Sequence, residues 1–248
     1  MYRAGVSAPL FLVDALPAAA SHTLDGPEGH HAATVQRLRA GETLILADGR
    51  GGSVTGRVTE VRRGSVDLEI VAREHVPAAD PRLVVAQGIA KGDRGELAVQ
   101  AMTEIGVDEI LPWAASRSVA QWRGDRGAKA RDKWVSTARE AAKQARRAWL
   151  PVVGGDPDCS TKQIAARLAP GAAFVLHEEA TTALSSAPLP PSGEIVLVIG
   201  PEGGISEAER ETFVAAGATA VRLGREVLRT STAGVAALSV LSARLGRW

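Results

Sequence analysis

Cysteine is almost missing from this chain. Cys159 is the single one in 248 residues, so no internal disulfide can form. No Cys/His cluster shows metal-ligand spacing, and no metal is expected. That usage fits a reducing, cytoplasmic setting. Long apolar runs are missing too: none approaches the roughly 20 residues that span a bilayer, so no membrane role is expected. The N-terminal segment MYRAGVSAPLFLVDALP has a short apolar run interrupted by Asp14 and no clear basic start, which argues against a signal peptide. Aromatic residues make up 4% of the chain, so the core must be built from Val, Leu, Ile and Ala. No G-x-G-x-x-G follows a strand and no Gly-Lys-Ser/Thr follows a glycine loop, which excludes the dinucleotide and P-loop phosphate fingerprints. There is no internal repeat.

What is present is charge placed unevenly. The net charge is +1, and residues 1–76 carry 8 Lys/Arg against 9 Asp/Glu. From Arg117 to Arg147 there are 10 basic residues against 3 acidic ones. Such a block attracts a polyanion by neutralising phosphates, although a solvated helix face has the same composition. Trp122 and Trp134 lie inside it, where they can stack on bases or belong to a core.

Two regions follow from the patterning. Up to about residue 75 the chain reads as short strands with turns between them: LILADG, SVTGRVTEV and SVDLEIVA, the last two separated by Arg63-Gly64. That suggests a small β-barrel over residues 1–76. VPAADPR, with two prolines, is the candidate linker. Residues 77–248 then alternate strands and helices, which means an α/β fold with a mostly parallel sheet. LVVAQGIA reads as a buried strand. GELAVQAMTEIG has Leu97, Ala98, Ala101, Met102 and Ile105 at helical spacing. VDEILPW, AAFVLHE, EIVLVIG and TAVRLG are further strands, and residues 126–149 are a second helix. In SEAERETFVAAG, Ser206 is a plausible N-cap with Glu209 completing a capping box and Gly217 closing the helix.

The sharpest local signal is IVLVIGPEGGISEAE (195–209): apolar strand, glycine-rich turn, capped helix. Ligands of open α/β sheets bind beyond the carboxyl ends of strands, so this turn is a natural binding edge. Gly200, Gly203 and Gly204 let the backbone approach a ligand, and N–H groups at the helix start can hold an anion or an adenine edge. VRLGREVLRTSTAGVAALSVL (221–241) is the second signal. Its strand ends at Leu223-Gly224, Arg225 and Arg229 bracket a loop, and any of Thr230, Ser231 and Thr232 can cap the final helix.

Together, GPEGG and LGxxxLRTxTA resemble the RsmE family of SPOUT RNA methyltransferases. Further stretches match in order: HHAATVQRLRAGETLILADGRGG (30–52), KGDRGELAVQAMTEIGVDEILPW (91–113), SRSV (116–119) and EAAKQARR (140–147). Four positions depart from the pattern. Gln36 stands for a usual leucine, Arg146 for a common glycine, Glu226 for a frequent arginine and Ser231 for a frequent glutamate.

The resemblance implies a C-terminal SPOUT domain tied in a trefoil knot, a PUA-like RNA-binding barrel before it, and a homodimer. It implies S-adenosylmethionine-dependent methylation of N3 of a uridine in 16S ribosomal RNA, free or in the small ribosomal subunit. A different RNA target, or a non-catalytic RNA-binding assembly factor, are the alternatives. Three loops would hold the cofactor: Leu176, His177 and Glu178; Val198, Ile199, Gly200, Pro201, Gly203 and Gly204; Leu223, Gly224, Arg225, Glu226, Val227, Leu228 and Thr230. Glu202 is the candidate proton acceptor and Arg229 the candidate stabiliser of the uridine anion. Arg37, Arg39, Lys91, Arg117, Gln144 and Arg147 are the candidate RNA contacts.

Overall fold

The computed structural model describes residues 8–248; the start of the segment read as carrying no signal peptide, and of the first domain, lies outside them. The chain divides into two compact units. One runs through Ala78 and takes in Lys143–Leu150; the other holds Ala79–Ala142 and Pro151–Trp248.

The first unit contains β1 (Leu10–Leu12), β2 (Ser21–Leu24), α1 (Gly26–His30) running into a π-helical turn (His31–Val35), β3 (Thr43–Ala47), β4 (Gly52–Arg62) and β5 (Ser65–His75). Its strands form one sheet in the order β1-β3-β4-β5-β2, in which β1 and β2 are edges not hydrogen-bonded to each other. Alternation decides what is buried: Val54 and Val58 of β4 join Leu44, Leu46, Val66, Leu68 and Phe11 in the core. Arg57 and Glu69 face out as a solvent-exposed pair.

Residues 143–150 depart from the linear reading, which carried the second helix on to 149. The helix stops at Gln144. Lys143 then reaches both oxygens of Glu28, at 2.9 and 3.2 Å, in a largely buried pair. Arg146 adopts φ +54, a left-handed conformation that a glycine takes without strain. Gly51 N–H donates to Ala148 O, Leu150 N–H to Gly49 O, and Trp149 Nε1 to Val76 O. At Gly51 (φ +94) a Cβ would overlap the Val76 carbonyl and the Trp149 indole, so the turn requires glycine.

The second unit is a parallel sheet between helices. Its strands are β6 (Arg82–Gly88), β7 (Glu109–Trp113), β8 (Val152–Val153), β9 (Ala173–Leu176), β10 (Glu194–Ile199) and β11 (Thr219–Val221). Their order is β11-β9-β10-β6-β7-β8, with every neighbouring pair parallel. The near-continuous apolar runs of β6 and β10 are explained by burial on both faces. Leu83, Val85, Ile195, Leu197 and Ile199 pack on one side against α2 (Arg94–Glu104), α3 (Gly124–Gln144) and α6 (Thr230–Arg244). Val84, Ala86, Val196 and Val198 pack on the other with Ile164 of α4 (Thr161–Ala165) and Phe213 of α5 (Glu207–Ala215).

Three sequence expectations change here. Leu97 is 52% exposed, so the buried stripe of α2 is Ala98, Val99 and Met102. Trp134 is core and stacks edge-on against Trp122 at 4.9 Å, so the pair is not a free platform for bases. None of Thr230, Ser231 and Thr232 caps α6: its N-cap is Arg229, without a side-chain cap bond. The capping box at α5 is present as read, with Ser206 Oγ accepting from Glu209 N and Glu209 accepting from Ser206 N.

Candidate functional site

The carboxyl ends of β6, β10, β9 and β11 surround a cleft of about 660 Å3, within the size range of small-ligand sites. Chain order reverses between β6 and β10, so the cleft sits at the switch point of the sheet. Three segments distant in sequence meet in it: Leu176–Glu178 after β9, Ile199–Ile205 after β10, and Arg222–Thr230 after β11. Two expected residues are not among its walls. Val198 is fully buried on the opposite face of the sheet, because successive strand residues point to opposite sides. Arg225 is exposed and does not line the cleft.

The hydroxyl of Thr230 joins two of these loops. It donates to Gly200 O at 2.8 Å and accepts from Gln87 Nε2 at 2.8 Å. Gln87 is completely buried at the end of β6 and also donates to Gly88 O at 3.2 Å. The loops approach closely: a Cβ on Gly88 would stand 2.5 Å from Pro201 N, and one on Gly203 would stand 2.9 Å from Arg117 Cβ. Gly204 has φ +72.

Between Leu223 and Ser231 no backbone N–H makes a hydrogen bond among the described residues. That run borders the cleft and leads into the N-terminus of α6, so it offers a ligand an array of unused donors. His177 has a defined role for one nitrogen, since Nδ1 accepts from Glu179 N at 3.2 Å. In its neutral form the proton then sits on Nε2.

Glu202 is occupied. Its Oε1 accepts from Lys91 N and from Arg94 Nη1, each at 3.1 Å. Partial burial raises its pKa, but its own N–H, Arg94 and the Lys91 N–H together bring it below the ordinary value. A carboxylate held in its charged form is a weak proton acceptor. Arg229 lines the cleft with no side-chain partner among the described residues. Glu209 does more than cap α5: it accepts from Ser116 N at 2.7 Å, which brings the SRSV segment to the site.

A family described as the RNA methyltransferase domain matches residues 78–242, and the RNA methyltransferase PUA domain matches residues 24–71. Ribosomal RNA small subunit methyltransferase E of Mycobacterium tuberculosis is 43% identical over 97% of this chain and 94% of its own. The chain belongs to this methyltransferase E family. Its Bacillus subtilis member is 30% identical over 90% of each chain. Two solved structures are similar along nearly the whole length. The Neisseria gonorrhoeae member, bound to S-adenosyl methionine, has TM-score 0.84 and 27% identity, over 96% of this chain and 98% of its own. A Legionella pneumophila methyltransferase with the same bound cofactor has TM-score 0.85 and 28% identity, with the same coverages.

The candidate RNA contacts of this family member fall apart into groups. Arg37, with φ +53, and Arg39 are exposed just after the π-helical turn of the first unit, which also holds Gln144 and Arg147. Lys91 is exposed and contributes its N–H to Glu202. Arg117 lines the cleft, its Nη1 donating to Gly203 O at 3.3 Å, so it braces the glycine turn. Arg94, Arg222 and Ala233 line the cleft without having been singled out in the sequence. KGDRGEL follows a buried strand, and the reasoning that picked out GPEGG would have found Arg94. Among the described residues no group of three or more His, Cys, Asp or Glu can hold a metal ion, and no helix is long and apolar enough to cross a membrane.

Proposed function

We propose that this protein transfers the methyl group of S-adenosylmethionine to N3 of a specific uridine in 16S ribosomal RNA of the small subunit. The observation that carries the reading is the run from Leu223 to Ser231 whose N–H groups make no hydrogen bond among the described residues, in a loop that lines the same cleft as the Gly200–Gly204 turn. These groups fit the cofactor: an adenine needs backbone partners, and Leu176, Ile199 and Val227 supply apolar wall. Binding through the backbone also tolerates Glu226 and Ser231, where the family's usual side chains are replaced. When bound, the cofactor supplies a methyl group on positively charged sulfur.

The chain's own residues have two tasks. They must hold an unpaired or flipped uridine so that N3 lies in line with the methyl, and they must lower the cost of removing the N3 proton. Glu202 serves the first by fixing the loop between β6 and α2; its depressed pKa makes it a poor recipient for the proton. Arg229 brings an unpaired cation to the cofactor side of the cleft. The PUA unit binds RNA through Arg37, Arg39, Gln144 and Arg147, and its sheet, open between β1 and β2, forms a partial barrel over the core centred on Leu44, Leu46 and Val66. Arg37→Ala should weaken RNA binding several-fold in a filter-binding titration and leave cofactor affinity unchanged.

The C-terminal chain forms a trefoil knot in this reading. Support comes from α6, which leaves the edge strand β11 yet packs on α2, β10 and β6 at the centre of the sheet. The active species is a homodimer in the cytoplasm, and exposed Leu97 and Trp248 are apolar surface available to a second copy. Mass spectrometry of nucleosides after incubation with labelled S-adenosylmethionine and unmodified small subunits tests the function. Labelled 3-methyluridine is expected. A label on ribose or on another base would reassign the target, and no label with no cofactor binding would leave an RNA-binding protein.

A further inference from the structure

Four arginines line the cleft, and their surroundings set them apart. Arg117 commits Nη1 to Gly203 O, and Arg222 and Arg229 belong to the loop after β11. Arg94, like Arg117, is held through Nη1 with its other donors free, and it alone of the four is held by a carboxylate among the described residues. Its Nη1 lies 3.1 Å from Glu202 Oε1, and its remaining N–H groups make no hydrogen bond among the described residues. Its side chain is 43% exposed and lines the cleft. Glu202 is itself tethered by the Lys91 N–H, so one edge of the guanidinium is anchored while the other faces the open space.

The sheet order says what that space receives. The three loops assigned to the cofactor follow β9, β10 and β11, whereas Arg94 opens α2 after β6, on the other flank of β10. The natural partner of its guanidinium is an anion arriving from the second substrate.

We propose that Arg94 is a catalytic residue that binds the oxyanion of the target uracil, held in place for that purpose by Glu202. The proposal rests on the methyltransferase reading above. Loss of the N3 proton to water leaves negative charge shared between N3 and its two flanking carbonyl oxygens. The N3 lone pair then bonds to the methyl carbon as the carbon–sulfur bond breaks, and that bond's electrons stay on sulfur, which becomes neutral. One proton is released per methyl transferred. Arg94 cannot take the proton, since arginine stays charged; it stabilises the base after the proton has gone. A preorganised donor to a developing oxyanion contributes about 100-fold or more in rate.

The test is single-turnover methylation of small-subunit RNA by Arg94→Ala over a range of pH, with cofactor affinity measured by calorimetry. Glu202 keeps the Lys91 N–H in this variant, so the loop should stay in place and cofactor affinity should hold within about twofold. A rate deficit of about 100-fold at neutral pH, narrowing as the pH rises and the base ionises unaided, is expected. RNA affinity with S-adenosylhomocysteine bound should rise with pH in the wild type and stay flat in Arg94→Ala. Arg94→Lys should recover part of the rate, and Arg229→Ala should lower cofactor affinity without the pH signature. A deficit independent of pH and confined to KM would mean a phosphate contact and overturn the proposal. So would loss of cofactor affinity in Arg94→Ala. If the wild type puts no methyl on uridine N3, the functional reading itself falls, whatever Arg94 does.

Discussion

Replacing Thr230 by valine should separate the two loops that its hydroxyl joins. The residue is 6% exposed, and the substitution keeps its shape while removing two hydrogen bonds of 2.8 Å. Gly200 O loses the side-chain donor that ties it to α6. Gln87 Nε2 loses its shorter partner but keeps Gly88 O at 3.2 Å, so only part of its cost is incurred. Each buried polar group left unpaired costs about 1–3 kcal/mol, which puts the whole effect near 2–3 kcal/mol. For a unit of this size each kcal/mol lowers Tm by about 2–4 °C, so Thr230→Val should melt roughly 4–12 °C below the wild type.

The same change should weaken S-adenosylmethionine binding by tenfold or more, since the cleft depends on the Gly200 turn and the start of α6 keeping their spacing. Thr230→Ser retains the hydroxyl and should stay within about 1 kcal/mol of the wild type in stability, with cofactor affinity nearly intact. Differential scanning calorimetry and titration calorimetry read the two effects. The reasoning fails if Thr230→Val melts with the wild type and binds cofactor as tightly.

Gly88→Ala places a Cβ 2.5 Å from Pro201 N, a backbone atom that can yield only if the glycine turn moves. Cofactor affinity should fall at least tenfold by calorimetry, with a stability loss of about 1–3 kcal/mol. Gly234→Ala brings a Cβ to 2.5 Å from Met102 Sδ, the flexible end of a side chain, so about 1 kcal/mol should be lost in urea unfolding. Adding Met102→Ala should make the effects of the two substitutions non-additive. Glu109→Gln weakens the cluster in which Glu109 meets Arg167 at 2.6 Å and Arg82 at 3.2 Å, and it should cost about 2 kcal/mol near neutral pH. Burial raises the Glu109 pKa, but the two arginines outweigh it and leave it lowered. Its contribution is therefore complete above the unfolded value of about 4.3 and is lost as pH falls through the lower folded value, so wild type and variant should converge in acid.

How much of this was legible depends on where each interaction lies along the chain. The capping box at Ser206 and Glu209 spans three residues and could be read directly; so could the buried runs of β6 and β10 and the turn at Gly200. Strands β1 and β8 have three and two residues and leave no periodic trace, whereas β11, equally short, was read within TAVRLG. The return of Lys143–Leu150 to the first unit rests on partners such as Glu28 and Gly49, about a hundred positions away, and no local pattern announces it. Glu202 shows the limit at the site itself. Its residue type suggested a proton acceptor, while the partners that lower its pKa, Lys91 and Arg94, lie more than a hundred residues earlier.

The parallel sheet separates stability from chemistry along its strands. At the amino ends, Arg82 of β6, Glu109 of β7 and Glu194 of β10 are joined by Arg167, and Asp108 bonds the Leu83 N–H and Arg247. Every charge in that cluster has an opposite charge within reach, which leaves nothing for a ligand. At the carboxyl ends the pattern is reversed: among the described residues the N–H groups from Leu223 to Ser231 and the Arg229 side chain have no partner, and Arg94 is fixed on one side only. Groups left unpaired there forgo stabilisation that the opposite end supplies. Substitutions such as Glu109→Gln should accordingly shift Tm and spare cofactor affinity, whereas Arg94→Ala should lower the rate with little change in Tm. A chain whose catalytic and stabilising residues were mixed along each strand would show no such division.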